Sequence, residues 1–198
     1  MAERCGLFGG TFDPVHNAHV ALAHAALDEF KLTQVRWIPA GQPWQKARSI
    51  SPAAQREEMV RLAIESEPRF VLDRIETQRQ GPSFTLDTVR ALCQLEPQTD
   101  WFLIIGQDQY TSLHTWQGWQ ELLRSVTLAV ANRPAHEAQN SLQVHPDVKR
   151  FEHRAVPLPM LDISSTDIRQ RVAAGLDISS LVPPTVARYI ESHRLYRA

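Results

Sequence analysis

The feature that most constrains this chain is an alternation: short apolar runs are followed by segments whose apolar residues recur at spacings of three and four. Cys5-Gly6-Leu7-Phe8 ends in Gly9-Gly10, after which Val20, Ala23, Leu27 and Phe30 mark one buried helical stripe. Val35-Arg36-Trp37-Ile38 repeats the strand signal before the breaker-rich Pro39-Ala40-Gly41-Gln42-Pro43. Ser51-Pro52 looks like an N-cap and first-turn proline opening a helix through Met59, Leu62 and Ala63. Phe70-Val71-Leu72 reads as a further strand, and Gly81-Pro82-Ser83 as the cap of a helix carrying Leu86, Val89, Leu92 and Cys93. Trp101-Phe102-Leu103-Ile104-Ile105 is a fully apolar strand ending at Gly106, as expected for a strand covered on both faces. A short helix over 119–123 precedes a strand over 126–131. This pattern predicts an α/β fold, a parallel sheet with helices on both faces, whose ligands bind in the loops after Phe8, Ile38, Ile105 and Ala131. Residues 162–166 cap a helix through Val172, and 182–193 read as a final amphipathic helix. We expect one domain over 1–198, with 162–198 as a C-terminal helical subregion.

At 198 residues the chain can bury about 70% of its unfolded surface, enough for a real core. A formal charge of −1 gives no global positive field, which argues against nucleic acid or an anionic membrane as partner. The longest purely apolar run, residues 101–105, is far short of the roughly 20 residues of a membrane helix. The first residues carry no apolar signal-peptide core, so a cytoplasmic protein is expected. Cys5 and Cys93 lack CxxC spacing and lie in apolar stretches, where a thiol usually acts as a small buried hydrophobe.

The chemistry concentrates in Gly9-Gly10-Thr11-Phe12-Asp13-Pro14-Val15-His16-Asn17-Ala18-His19. Two glycines let backbone N–H groups approach a ligand, and the helix that follows points its positive end at it, which reads as a phosphate site. No Gly-Lys-Ser/Thr follows, so it is not a P-loop, and the three spaced glycines of a dinucleotide fingerprint are missing. His16 and His19, three apart, lie on one helical face and can both donate to phosphoryl oxygens. Zinc ranks last: the spacing differs from that of a metalloprotease pair, and no third ligand is evident.

This stretch resembles the G-G-[ST]-F-D-P-x-H-x-G-H signature of the bacterial nicotinate-nucleotide adenylyltransferases, members of a nucleotidyltransferase superfamily with a Rossmann-like doubly wound fold. Ala18 stands where glycine is usual. The resemblance runs nearly end to end. Residues 39–46 are similar to the family's proline and lysine substrate loop, and Gly81-Pro82-Ser83-Phe84-Thr85-Leu86-Asp87-Thr88 to its G-P-S-[YF]-T-x-D-T segment. Gly106-Gln107-Asp108, Leu113-His114-Thr115-Trp116 and Ile163-Ser164-Ser165-Thr166-Asp167-Ile168-Arg169 resemble its G-x-D, apolar-x-x-W and I-S-S-T-x-I-R motifs. Phosphopantetheine adenylyltransferases share the histidines and the serine-rich motif but lack the features at 81–88 and Trp116.

The resemblance implies in-line transfer of AMP from ATP to nicotinate mononucleotide, with Mg2+ as cofactor and ATP as co-substrate. His16, His19 and Arg169 would be catalytic. Gly9, Gly10, Thr11, Phe12, Gly106, Asp108, Ile163, Ser164 and Ser165 would join them around ATP. Thr11, Lys46, Phe84, Thr85, Asp108, Trp116 and Arg133 would take the mononucleotide, with Trp116 stacked on the pyridine ring and Phe84 and Thr85 reading its carboxylate. Asp108 is the side chain that could also approach magnesium, which the triphosphate chiefly holds; Asp87 and Thr88 could serve only as helix caps. The sequence leaves open a homo-oligomer, a preference for the amide substrate, and a non-catalytic nucleotide-binding module.

Overall fold

The computed structural model describes residues 2–43, 50–131, 144–158 and 161–197. Its sheet contains β1 (Arg4–Gly10), β2 (Gln34–Pro39), β3 (Phe70–Leu72), β4 (Asp100–Ile105), β5 (Thr127–Ala131) and β6 (His153–Val156). All pairings are parallel, in the order β3-β2-β1-β4-β5-β6. The chain winds outward from β1 to one edge, then from β4 to the other. The order therefore reverses between β1 and β4, and a crevice opens at their carboxyl ends. This is the doubly wound sheet that the alternation predicts.

The helices are α1 (Asn17–Glu29), α2 (Ala53–Ile64), α3 (Thr85–Leu95), α4 (Gln107–Ser112), α5 (Trp119–Ser125), α6 (Pro146–Lys149), α7 (Ser165–Ala173) and α8 (Pro184–Ser192). Along the central strands successive side chains enter opposite cores, because a strand has period two. Phe102 and Ile104 join Phe8, Val35 and Trp37 in one core, under α1, α2, α7 and α8; Trp101, Leu103 and Ile105 join Cys5, Leu7 and Ile38 in the other, under α3 and α5. Gly6 faces the first core with no room for more, since a Cβ there would lie 2.9 Å from Ile104 Cδ1. Ile168, Val182, Val186 and Ile190 of the C-terminal segment belong to that same core. Among the described residues no helix is long and apolar enough to cross a membrane.

Local details depart from the sequence reading. Pro52 is itself the N-cap of α2, with extended φ of −48° and ψ of 144°, and Ser51 instead offers its N–H to the Asp13 carboxylate at 3.4 Å. The N-cap of α3 is Phe84 rather than the Gly81-Pro82-Ser83 turn. The Ser83 hydroxyl is taken by the neighbouring loop, accepting from the N–H groups of Gly41 (3.0 Å) and Gln42 (3.2 Å). Thr88 does not cap α3 either, since its hydroxyl donates to Glu76 Oε1 at 2.8 Å. Cys93 is only half-buried. Finally α4, α6 and β6 are additional elements, the last a four-residue edge strand with three exposed side chains.

Candidate active site

A cavity of about 630 Å³ occupies the crevice at the carboxyl ends of β1 and β4. Its floor is the loop leaving β1: Gly9, Gly10, Thr11 and Phe12 line it, followed by His16 and His19 at the start of α1. Phe12 turns the loop with φ of 51°, a left-handed conformation strained for an aromatic residue. Its ring is held edge-on against Phe8 and His19, at centroid distances of 5.6 and 5.2 Å, so packing offsets the strain.

The histidine rings stack 3.6 Å apart with 25° between their planes. His19 Nδ1 accepts the His16 backbone N–H at 3.2 Å, leaving its proton on Nε2. His16 Nδ1 is buried with no protein partner among the described residues. Burial pushes His16 down to about 4, and burial together with His16 holds His19 well below the ordinary value of 6.5. Two stacked imidazolium ions would repel, so both rings are neutral near pH 7, and a neutral ring can donate only as a dipole and not as a charge.

The His16 shift has a measurable consequence for stability. Between pH 6.5 and about 4 the unfolded chain binds a proton on this histidine that the folded chain refuses, so stability rises with pH across that window. From pH 6.5 to about 5 the folded chain should lose about 1 to 2 kcal/mol on this account. Urea unfolding over this range measures the loss, and His16→Gln should remove the His16 share; an unchanged slope in that variant would contradict the assignment.

The start of α7 forms a neighbouring wall. The Ser164 hydroxyl caps the helix by accepting the Asp167 N–H at 3.1 Å. Ser165 and Arg169 reach across to the first loop, to Pro14 O at 2.9 Å and Asp13 O at 2.7 Å. Ile163, Ser164, Ser165 and Arg169 all line the cavity. The two hydroxyls thus serve the protein's own backbone, which directs attention to the first-turn amides of α7 and the Arg169 guanidinium as anion donors. Gly106 and Asp108, at the end of β4, form a third side.

The far end is built by Phe84 and Thr85 at the start of α3, and by Trp116, which follows a short 3-10 turn over Leu113–Thr115. The Trp116 indole N–H is buried without a partner among the described residues. Every candidate residue within the described chain therefore lines one cavity, from Gly9 to Arg169. Lys46 and Arg133 lie outside the described residues.

Three supporting residues escaped the sequence reading. Arg56 is fully buried and ties three carbonyls together, those of Ser51 (2.9 Å), Thr11 (2.9 Å) and Gly41 (3.3 Å). Its signal was present: a charge on the stripe shared with Met59, Val60 and Ala63. Asp13, 1% exposed, stands inside the 9–19 signature but carries no role of its own in the sequence analysis, and the buried Glu76 has no comparable signal. Glu76 lines the cavity, burial raises its carboxyl toward the neutral form, and its carbonyl closes on Gly41, where any Cβ would collide with it.

The chain matches the cytidylyltransferase-like family model over residues 7–171. Fold and site together define a cytidylyltransferase-like protein. It is 48% identical over 198 residues to a Methylibium petroleiphilum protein named "Probable nicotinate-nucleotide adenylyltransferase", covering 98% of this chain and 92% of that one. A protein of the same name from Albidiferax ferrireducens is 42% identical over 195 residues, covering 98% of each. The chain belongs to the nicotinate-nucleotide adenylyltransferase family. A solved structure of Plasmodium falciparum nicotinic acid mononucleotide adenylyltransferase complexed with NaAD shares the fold, with a TM-score of 0.80 at 19% identity over 98% of this chain and 97% of that chain.

Proposed function

We propose that this chain joins ATP to nicotinate mononucleotide, giving deamido-NAD and pyrophosphate. The observation that carries this reading is the single cavity in which a glycine loop, a neutral histidine pair and a helix start with an arginine meet a second helix start beside a tryptophan. The first group suits a triphosphate; the second suits a flat ring with an anionic substituent.

A phosphate oxygen of the mononucleotide attacks the α-phosphorus of ATP in line. The new P–O bond forms as the bond from the α-phosphorus to the bridging oxygen breaks, and pyrophosphate leaves with the electron pair. The attacking phosphate is ionised at neutral pH and needs no general base, so positioning and charge stabilisation carry the reaction. His16 and His19 donate N–H bonds where the α- and β-phosphates lie, and Arg169 with the α7 amides meets the charge that grows toward the leaving group. Asp13 and Arg56 hold the loop that carries the histidines.

Magnesium fits this donor set as a phosphate-bound ion: it favours phosphate oxygens, water and one or two carboxylates, and Asp108 is a carboxylate on the cavity wall. When bound it would neutralise the triphosphate and the departing pyrophosphate. Pyrophosphate release from ATP and nicotinate mononucleotide tests the whole reading. Turnover should vanish with EDTA and return with magnesium; absence of turnover with any pyridine mononucleotide would sink the function, and full turnover in metal-free buffer would remove the metal.

A further inference from the structure

The end of the chain reaches back into the loop that carries the histidines. Tyr196 lies 183 residues from Asp13 in sequence, yet its hydroxyl donates to Asp13 Oδ1 at 2.7 Å. On the other side of the same residue, the Asp13 carbonyl accepts from Arg169 Nη1 at 2.7 Å. Asp13 is buried and its second carboxylate oxygen takes the Ser51 N–H. It also sits beside Phe12, whose strained φ of 51° makes this stretch of backbone dependent on outside restraint.

A guanidinium on a long side chain contributes to a transition state only while it is aimed. Arg169 donates to Asp13 O and to Thr166 Oγ1, the latter at 3.1 Å, and the first bond depends on where Asp13 is held. We propose that Tyr196 is a positioning residue for Arg169: its hydroxyl fixes the Asp13 carboxylate, and Asp13 in turn fixes the direction of the guanidinium on the cavity wall. The inference rests on the adenylyl-transfer reading. A tyrosine that only anchored the chain end would act on stability and not on turnover. The ring packs against the α1 and α2 core and stays in place when only the hydroxyl is removed, so Tyr196→Phe isolates the bond.

Steady-state kinetics of Tyr196→Phe, with folding checked by circular dichroism, provide the test. We expect kcat to fall about tenfold, with KM for ATP and for nicotinate mononucleotide within about twofold, because binding contacts survive while the aim of one donor is lost. Arg169→Gln supplies the control that a structural role would not move. With the guanidinium gone there is nothing left to aim, so adding Tyr196→Phe should cost less than about twofold more. A Tyr196→Phe enzyme with kcat near wild type overturns the positioning role, as does an undiminished loss in the Arg169→Gln background. No turnover in the wild type overturns the reaction reading and the role together, whereas wild-type turnover with an unaffected Tyr196→Phe overturns the role alone.

Discussion

His19→Ala should lower kcat by about 10² to 10³ in a folded protein, the loss expected when a preorganised donor to developing phosphoryl charge is removed. The size follows from the geometry. His19 is not a spare surface histidine: its Nδ1 is committed to the His16 N–H, so the ring is held in one orientation with its Nε2 proton available. The ring also stacks on His16 and meets Phe8 and Phe12 edge-on. Burial keeps it neutral, so the loss should be the same at pH 6 as at pH 8, since no proton on this ring titrates between them. His16→Ala should give a smaller loss of the same kind. Pre-steady-state measurement of pyrophosphate formation in the two variants checks this; a His19→Ala enzyme with near-normal kcat would remove the histidines from the mechanism.

The second large effect concerns substrate choice. Carboxylate and carboxamide are nearly the same size, so only hydrogen-bond polarity can separate nicotinate from nicotinamide mononucleotide. The start of α3 presents at the cavity first-turn amides, which only donate, and the Thr85 hydroxyl, which can donate to a carboxylate. A carboxamide would turn its own NH2 toward at least one of them. Each polar group left unpaired costs about 1 to 3 kcal/mol, so two mismatches give a preference of about 10² or more in kcat/KM for the acid. Trp116→Ala should cost both substrates about tenfold alike, because stacking does not read the ring's substituent. Measuring kcat/KM for both mononucleotides in both enzymes decides the matter. Equal use by wild type would remove the carboxylate site, and a Trp116→Ala loss confined to one substrate would remove the stacking role.

Which of these residues could be read before folding depends on how local their signals are. The loop at 9–19 announces itself because the glycines, the histidines and the helix they open are contiguous, and the motifs at 81–88, 106–108 and 163–169 are likewise single short segments. Helix caps were less legible. A serine beside a proline looks like an N-cap by local chemistry, yet the hydroxyl of Ser83 and the backbone N–H of Ser51 are drawn to partners 42 and 38 residues away. The edge strand β6 was hidden for a different reason: its side chains are mostly exposed, so no apolar alternation marks it, and main-chain pairing with β5 alone defines it.

Periodicity and spacing along the chain thus determined the layered α/β architecture, the ends of the strands where a ligand binds, and the residue types gathered there, since strand period, helix stripe and glycine loop are properties of neighbours. Only the tertiary structure decided what holds the site in shape. Tyr196 on Asp13, Arg56 on the carbonyls of Thr11 and Gly41, and Ser165 on Pro14 join segments up to 183 residues apart. The sheet order brings them together by folding β1 into the centre and returning the C-terminal helices over it. A buried carboxylate or guanidinium is tolerable only once such partners surround it, and those partners exist only in the folded chain.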